Sequence, residues 1–163
     1  MENKTLDKEI SFSRELLKGK IAEVVFEQMF RDCKKFTVLP FGYEKIVPEV
    51  AQYQHLLEVK QVLENIRHAP DFIIITQDRA QVYLVEVKYR TDITAEGMVA
   101  AAEQIRKHWD MAWLFLATPD GFFFDSINRI INSGGKIAPL SGMWIDTRMQ
   151  SYYLSLMMEF EKK

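Results

Sequence analysis

Two β-prone runs, Phe72 to Thr76 (FIIIT) and Val82 to Tyr89 (VYLVEVKY), are separated by the polar stretch Gln77-Asp78-Arg79-Ala80-Gln81, and they constrain this chain more than any other feature. β-branched and aromatic residues dominate both runs, and a short polar gap between such runs predicts an antiparallel hairpin. Both are apolar at odd and even positions alike, so neither face is suited to water. A sheet of that kind has to be covered by helices on its two sides. The hairpin therefore belongs in the middle of an α/β domain.

Charged residues interrupt these runs at one end. Asp71 follows Pro70 at the entrance of the first, and Glu86-Val87-Lys88 lies near the end of the second. Side chains alternate along a strand, so Glu86 and Lys88 share a face and Val87 points to the other. If residues 77 to 80 form a four-residue loop, Thr76 pairs with Gln81 and Asp71 falls directly opposite Glu86. One face then carries Asp71, Glu86 and Lys88 at its end and continues into Ile73, Ile75, Val82 and Leu84.

Two carboxylates and an ammonium at the margin of a low-dielectric core are costly unless they bind something. A hard divalent cation is the natural occupant: Mg²⁺, with Mn²⁺ as a substitute, takes one or two carboxylates and several waters and leaves positions for a phosphate oxygen. Such a site acidifies a bound water and neutralises charge on an in-line phosphoryl transition state. Lys88 would orient or deprotonate that water, or stabilise the developing charge. The competing structural reading makes Glu86 and Lys88 a strand-end salt bridge and Asp71 the cap of a turn after Pro70.

The remaining pattern supplies the covering helices. Residues 13–33 carry Leu17, Ile21, Val24, Val25 and Met29 at helical spacing, which predicts a first helix. A short strand is expected over 36–39, closed by Pro40, with a second extended piece over 43–47. Pro48, Glu49 and the apolar spacing through Ile66 predict a second helix. Thr94 is placed to cap a helix through Trp109, stapled by Ile93 and Met98, with Met98, Ala102, Ile105 and Trp109 facing the core. Residues 112–117 then form a buried strand. Further on, 122–124 is expected extended, 125–132 a short helix ended by Gly134-Gly135, 143–145 an edge strand and 147–163 a terminal helix.

At 163 residues, 48% of them hydrophobic, the chain is long enough for one sizeable core. No repeat or linker divides it, so one domain over 1–163 is expected, with a core at about 13–118 and additions at 119–163. The single cysteine, Cys33, cannot pair within the chain, and no Cys/His spacing suits zinc. The N-terminus lacks the apolar segment of a signal peptide and no run is long enough to span a membrane, so a cytoplasmic protein without a membrane partner is expected. A net charge of −2 gives no global basicity, which argues weakly against a nucleic-acid partner, because phosphate contacts depend on where charges sit.

Pro70-Asp71 and Glu86-Val87-Lys88, set on adjacent strands, resemble the signature of the PD-(D/E)XK phosphodiesterase superfamily, which includes type II restriction endonucleases, archaeal Holliday-junction resolvases and DNA-repair exonucleases. The order helix, three strands, helix, strand over about 13–118 is similar to that superfamily's common core. The resemblance implies a restriction endonuclease-like three-layer α/β/α fold with a central mixed sheet. It also implies an Mg²⁺-dependent deoxyribonuclease in which Asp71 and Glu86 hold the metal and Lys88 assists the attacking water. Many members complete the metal site with an acidic residue on the first helix, and Glu23 matches best by position, with Glu27 one turn later as second choice. Exonuclease-like members carry a glutamine on the helix after the lysine strand, and Gln104 looks like that residue, although their tyrosine four residues later is His108 here.

Around this predicted site, Tyr89, Arg90 and Lys107 are the expected nucleic-acid contacts, with Lys60, Arg67, Arg79 and Arg106 more remote choices. Isolated histidines usually have structural or surface roles, so His55, His68 and His108 are given no catalytic one. The stripe Tyr152, Tyr153, Leu156 and Phe160 in the C-terminal segment suits core packing or a homodimer contact. The function expected is DNA phosphodiester hydrolysis, RNA not being excluded as substrate. The alternative is a catalytically inactive nuclease-fold protein serving as a nucleic-acid-binding or assembly module.

Overall fold

The computed structural model describes residues 2–42 and 60–162. The extended piece expected at 43–47, the second helix up to residue 59 and His55 lie outside the described residues. The elements in chain order are α1 (Glu2–Asp32), β1 (Phe36–Pro40), α2 (Lys60–Arg67), β2 (Phe72–Thr76), β3 (Val82–Tyr89), α3 (Ala95–Arg106), β4 (Trp113–Thr118), β5 (Gly121–Ser126), α4 (Ile127–Asn132) and α5 (Thr147–Lys162).

Among the described residues, five strands form one sheet in sequence order, β1-β2-β3-β4-β5. Only β3 and β4 run parallel; the other three pairings are antiparallel. A parallel pair needs a crossover, and α3 supplies it. Helices cover the two faces. Against one lie α1 and α5, with Ala22, Val25, Phe26, Met29, Phe30, Tyr153 and Met157 meeting Val38, Phe72, Ile74, Val85, Val87 and Phe115. Against the other lie α3 and α4, where Met98, Ala102, Ile105, Ile127 and Ile130 meet Leu114 and Leu116. The fold is thus mixed α/β, with helices on either side of a mixed sheet.

Aromatic rings fill the first layer. Phe26, fully buried, has its ring centroid 4.4 Å from that of Phe30, 5.1 Å from Phe72 and 5.0 Å from Phe115. Each such burial contributes on the order of 2 to 3 kcal/mol. These rings also decide how α1 is turned. The expected core face included Leu17 and Val24, but both are exposed, because the helix presents Phe26 and Phe30 to the sheet instead. The expected double-sided burial of the hairpin is also only half realised: Phe72, Ile74, Val85 and Val87 are buried, whereas Ile73, Ile75 and Leu84 are half-buried and Val82 is exposed.

Local signals set several element ends. The Thr94 side chain accepts a hydrogen bond from the Gly97 N–H at 3.0 Å and caps α3. Ser126 caps α4 in the same way through the Arg129 N–H. Gly134 and Gly135 end α4 with φ of 73° and 102°, a region that favours glycine. A methyl group at Gly135 would also overlap the Ala95 carbonyl, so the start of α3 packs directly on that backbone. Residues 143–145 are not a strand. The N–H groups of Trp144 and Ile145 both donate to the Ser141 carbonyl in a turn, and the Trp144 indole packs among Phe36, Tyr83, Trp113 and Phe124. On α5, Tyr153 and Met157 are buried against the α1 side, with the Tyr153 hydroxyl donating to Asp32, while Tyr152 and Phe160 are exposed. No helix among the described residues is long and apolar enough to cross a membrane.

Candidate functional site

The hairpin register is the one the alternation of side chains called for. Phe72 pairs with Val85 and Ile75 with Val82, and the Thr76 N–H donates to the Gln81 carbonyl at 3.1 Å. Continued one step past Phe72, the same register sets Asp71 opposite Glu86. The loop supporting it is held by Asp78, whose carboxylate accepts from the Thr76 hydroxyl at 2.5 Å and the Ala80 N–H at 3.0 Å.

Asp71 is fixed at both ends of the residue. Its carbonyl accepts from the N–H groups of Phe41 at 2.8 Å and Gly42 at 3.2 Å, and its Oδ2 accepts from the Val87 N–H at 2.8 Å. The side chain therefore cannot swing away without breaking a partly buried hydrogen bond. Pro70 assists by disfavouring helical geometry at Ala69, so the chain leaves the turn after α2 extended. Glu86 and Lys88 lie on the face of β3 opposite to Val87, with Lys88 Nζ 3.5 Å from Glu86 Oε1 and both side chains only about one-quarter exposed. The strand-end salt bridge of the structural reading thus exists, but Asp71 is more than a turn cap, since its carboxylate reaches across to β3.

These residues line a cleft of about 730 Å³ together with one face of α1, the end of α2 with the turn after it, and the last turn of α3. From α1 come Lys20, Glu23, Val24 and Glu27, the i, i+3, i+4, i+7 set that forms one helical face. From the end of α2 comes Arg67, from the turn after it His68, and from α3 Gln104 and Ile105. Asp71, Glu86, Lys88, Glu23 and Gln104, which span more than 80 positions in sequence, thus meet at a single cavity. Glu27 lines it as well and also pairs with Arg31 at 2.9 Å, whereas Glu23 lies 3.5 Å from Lys20.

Burial and mutual repulsion make the charged forms of two carboxylates costly here. Burial, first, and then the Glu86 charge push the Asp71 carboxyl up to about 7, with Glu23 adding to the rise and the Val87 hydrogen bond and Lys88 opposing it. Glu86 is also raised, mainly by burial, against the opposing pull of Lys88. Among the described residues no three carboxylate, imidazole or thiol groups form a closed metal cage. Two carboxylates lining an open cleft do fit Mg²⁺ or Mn²⁺, which are held by one or two carboxylates with waters completing the shell.

The expected nucleic-acid contacts divide. Lys107 is exposed beside the cleft and its Nζ donates to Gln104 Oε1 at 3.4 Å. Arg90 is exposed, with its guanidinium turned back on the Tyr89 carbonyl. Tyr89 makes no such contact. It follows Val87 on the alternate face of β3 and is buried under α1, where its ring lies 5.4 Å below Lys18 Nζ. Burial, with Glu161 beside it, holds its hydroxyl well above the ordinary range. Strand alternation alone would have shown that Tyr89 cannot share a face with Lys88.

Sequence reasoning missed Lys20 and gave no role to His68. Lys20 was legible, being one turn before Glu23. The His68 ring is stacked on that of His108, with centroids 4.1 Å apart and planes within 3°, while His68 contacts Glu64 at 3.4 Å and His108 contacts Asn65 at 3.1 Å. The two histidines are forty positions apart, so no spacing rule finds the pair. Neither a protein-family model nor a curated protein sequence matches this chain.

Proposed function

We propose that the chain is a metal-dependent nuclease of the PD-(D/E)XK type, hydrolysing phosphodiester bonds of DNA on a restriction endonuclease-like fold. The observation that carries this reading is the meeting of Asp71, Glu86, Lys88 and Glu23 at one cleft, with Asp71 tied to the Val87 backbone between Glu86 and Lys88. Mixed α/β architecture with a hairpin at the heart of the sheet and α3 crossing to a parallel β4 supports it.

Asp71 and Glu86 would hold the cation, with Glu23 adding a further carboxylate to the same cleft. Bound Mg²⁺ supplies charge neutralisation at the phosphate and a more acidic water. Lys88 would donate from its ammonium to the attacking water and to the phosphate oxygens, offsetting the charge that grows as the water oxygen bonds to phosphorus and the P–O bond to the leaving sugar oxygen breaks, with the water's proton passing to solvent. Gln104 orients the same water or a phosphate oxygen through its side-chain amide, with Lys107 keeping that amide in place. Lys20, Arg67 and Lys107 give the cleft rim its positive charge for the nucleic-acid backbone.

The test is incubation of the purified protein with supercoiled, linear, single-stranded and branched DNA in Mg²⁺ or Mn²⁺. Cleavage of at least one substrate, abolished by chelation, is the expected result. A second reading, a catalytically inactive module on the same fold, draws on the absence of a closed metal cage among the described residues and the Glu86–Lys88 pair. No cleavage, with calorimetry showing no heat of Mg²⁺ or Mn²⁺ binding, would favour that reading.

A further inference from the structure

The first half of α1 is built for a partner. Every residue from 5 to 17 is exposed, and the helix first meets the body of the protein near Lys18, over the Tyr89 ring. Yet this stretch carries Leu6, Ile10 and Leu17, which are 55%, 45% and 61% exposed. Their spacing of four and seven places them in one narrow stripe. At about 100° per residue that stripe points about 150° away from the mean direction of Ala22, Val25, Phe26, Met29 and Phe30, by which the second half of the helix enters the core. The helix thus has two apolar faces at its two ends, and only one of them is covered by the described residues. A helical segment of about a dozen residues is marginal in water unless its apolar face is packed.

We propose that the occupant is a second copy of this chain, the two α1 helices pairing antiparallel about a twofold axis between residues 11 and 12. An isologous contact of this kind makes every pairing twice. Leu6 then lies against Leu17 of the second copy and Ile10 against Ser13. Flanking the seam, Asp7 meets Arg14 of the second copy at both ends, and Leu16, 56% exposed, covers the other flank. Phe12 stands outside the stripe. Like charge at position 20 disfavours the parallel direction. A parallel pair would carry the seam through position 20 and bring two Lys20 ammonium groups together. It would also draw in Val24, with which Lys20 lines the cleft. In the antiparallel pair position 20 falls opposite position 3 of the second copy rather than opposite a second Lys20, and the two bodies are set at opposite ends. On α5, by contrast, only Tyr152 and Phe160 are large and exposed, and they are eight residues apart. The contact of about four turns a side falls at the small end of specific interfaces, below about 1,200 Å² in total, so a concentration-dependent dimer is the form it takes.

Sedimentation equilibrium of the full chain from about 1 to about 200 μM tests this, since a dimer of this size dissociates in the micromolar range. The mass should rise from one chain to two, and Leu6→Gln/Leu17→Gln should hold it at one chain throughout, with the sheet and core unchanged by circular dichroism and thermal melting. Asp7→Arg should weaken association at least several-fold, and Asp7→Arg/Arg14→Asp should restore it, because only the antiparallel pair sets residues 7 and 14 side by side. A wild-type chain that stays monomeric overturns the proposal, including one that binds anionic vesicles instead. So does association unchanged by Leu6→Gln/Leu17→Gln, or charge reversals that do not compensate each other.

Discussion

Asp71→Asn is expected to abolish cation-dependent cleavage by at least about 10³-fold and, at the same time, to make the metal-free protein more stable at neutral pH. The loss follows from the proposed donor set, since an amide is a poor replacement for one of the two carboxylates proposed to hold a divalent cation. The gain follows from the position of that carboxylate. The Asp71 carboxyl titrates near 7 in the folded chain against 3.8 for an ordinary aspartate, raised by burial and by Glu86. The folded state therefore binds the proton more tightly than the unfolded state, so this group favours folding at low pH and its contribution is lost as pH rises from about 4 through about 7. One pKa unit corresponds to about 1.4 kcal/mol, and the coupling to Glu86 leaves a net penalty on the order of 2 kcal/mol above neutrality. Asparagine keeps an oxygen for the Val87 N–H and carries no charge. Its metal-free melting temperature at pH 8 should exceed that of the wild type by roughly 4 to 8 °C, and the difference should vanish near pH 4. Thermal melts across that range, in chelator, check the sign. A variant less stable than wild type at pH 8 would remove the strained carboxylate from the account.

Lys88→Met is the second large effect, with a different signature. Methionine preserves an unbranched apolar stem on the strand and removes only the ammonium. Cleavage should fall by about 10² to 10⁴-fold at saturating cation, because water activation and charge stabilisation at the phosphate are lost together. Cation binding should survive, since Asp71 and Glu86 remain. It should nevertheless shift to higher pH: Lys88 is the main influence lowering the Glu86 carboxyl, so its removal leaves that group more readily protonated. Calorimetric titration with Mn²⁺ at two pH values, beside the cleavage rate, separates the two roles. Loss of binding at all pH values would mean that Lys88 holds the site together rather than acting on the water.

The hairpin and its charged end were legible because strand alternation and loop length are strict rules. Four loop residues fix the register, the register sets Asp71 against Glu86, and a register slip by one would send every side chain to the other face. Thr94 and the glycines after α4 were legible for a similarly local reason, since caps and left-handed ends depend on single residues. Glu23 and Gln104 could be placed only through the family resemblance, and both line the cleft. Leu17 and Val24 show where local pattern fails: helical spacing says that one face is apolar but not which of two apolar faces the sheet takes, and Phe26 and Phe30 decide that by their size. Residues 143–145 read as a strand because tryptophan and isoleucine favour one, yet the indole serves better filling the space beside Trp113 and Phe124. The His68–His108 stack is a tertiary contact with no sequence signature.

The most direct measurement is a crystal structure of the protein soaked in Mn²⁺, with anomalous scattering used to locate the ion. A single strong peak between the carboxylates of Asp71 and Glu86, within about 2.0 to 2.4 Å of an oxygen of each, is the predicted result. Fully ordered Asp71 and Glu86 side chains with no peak between them, at Mn²⁺ concentrations that support cleavage, would contradict it.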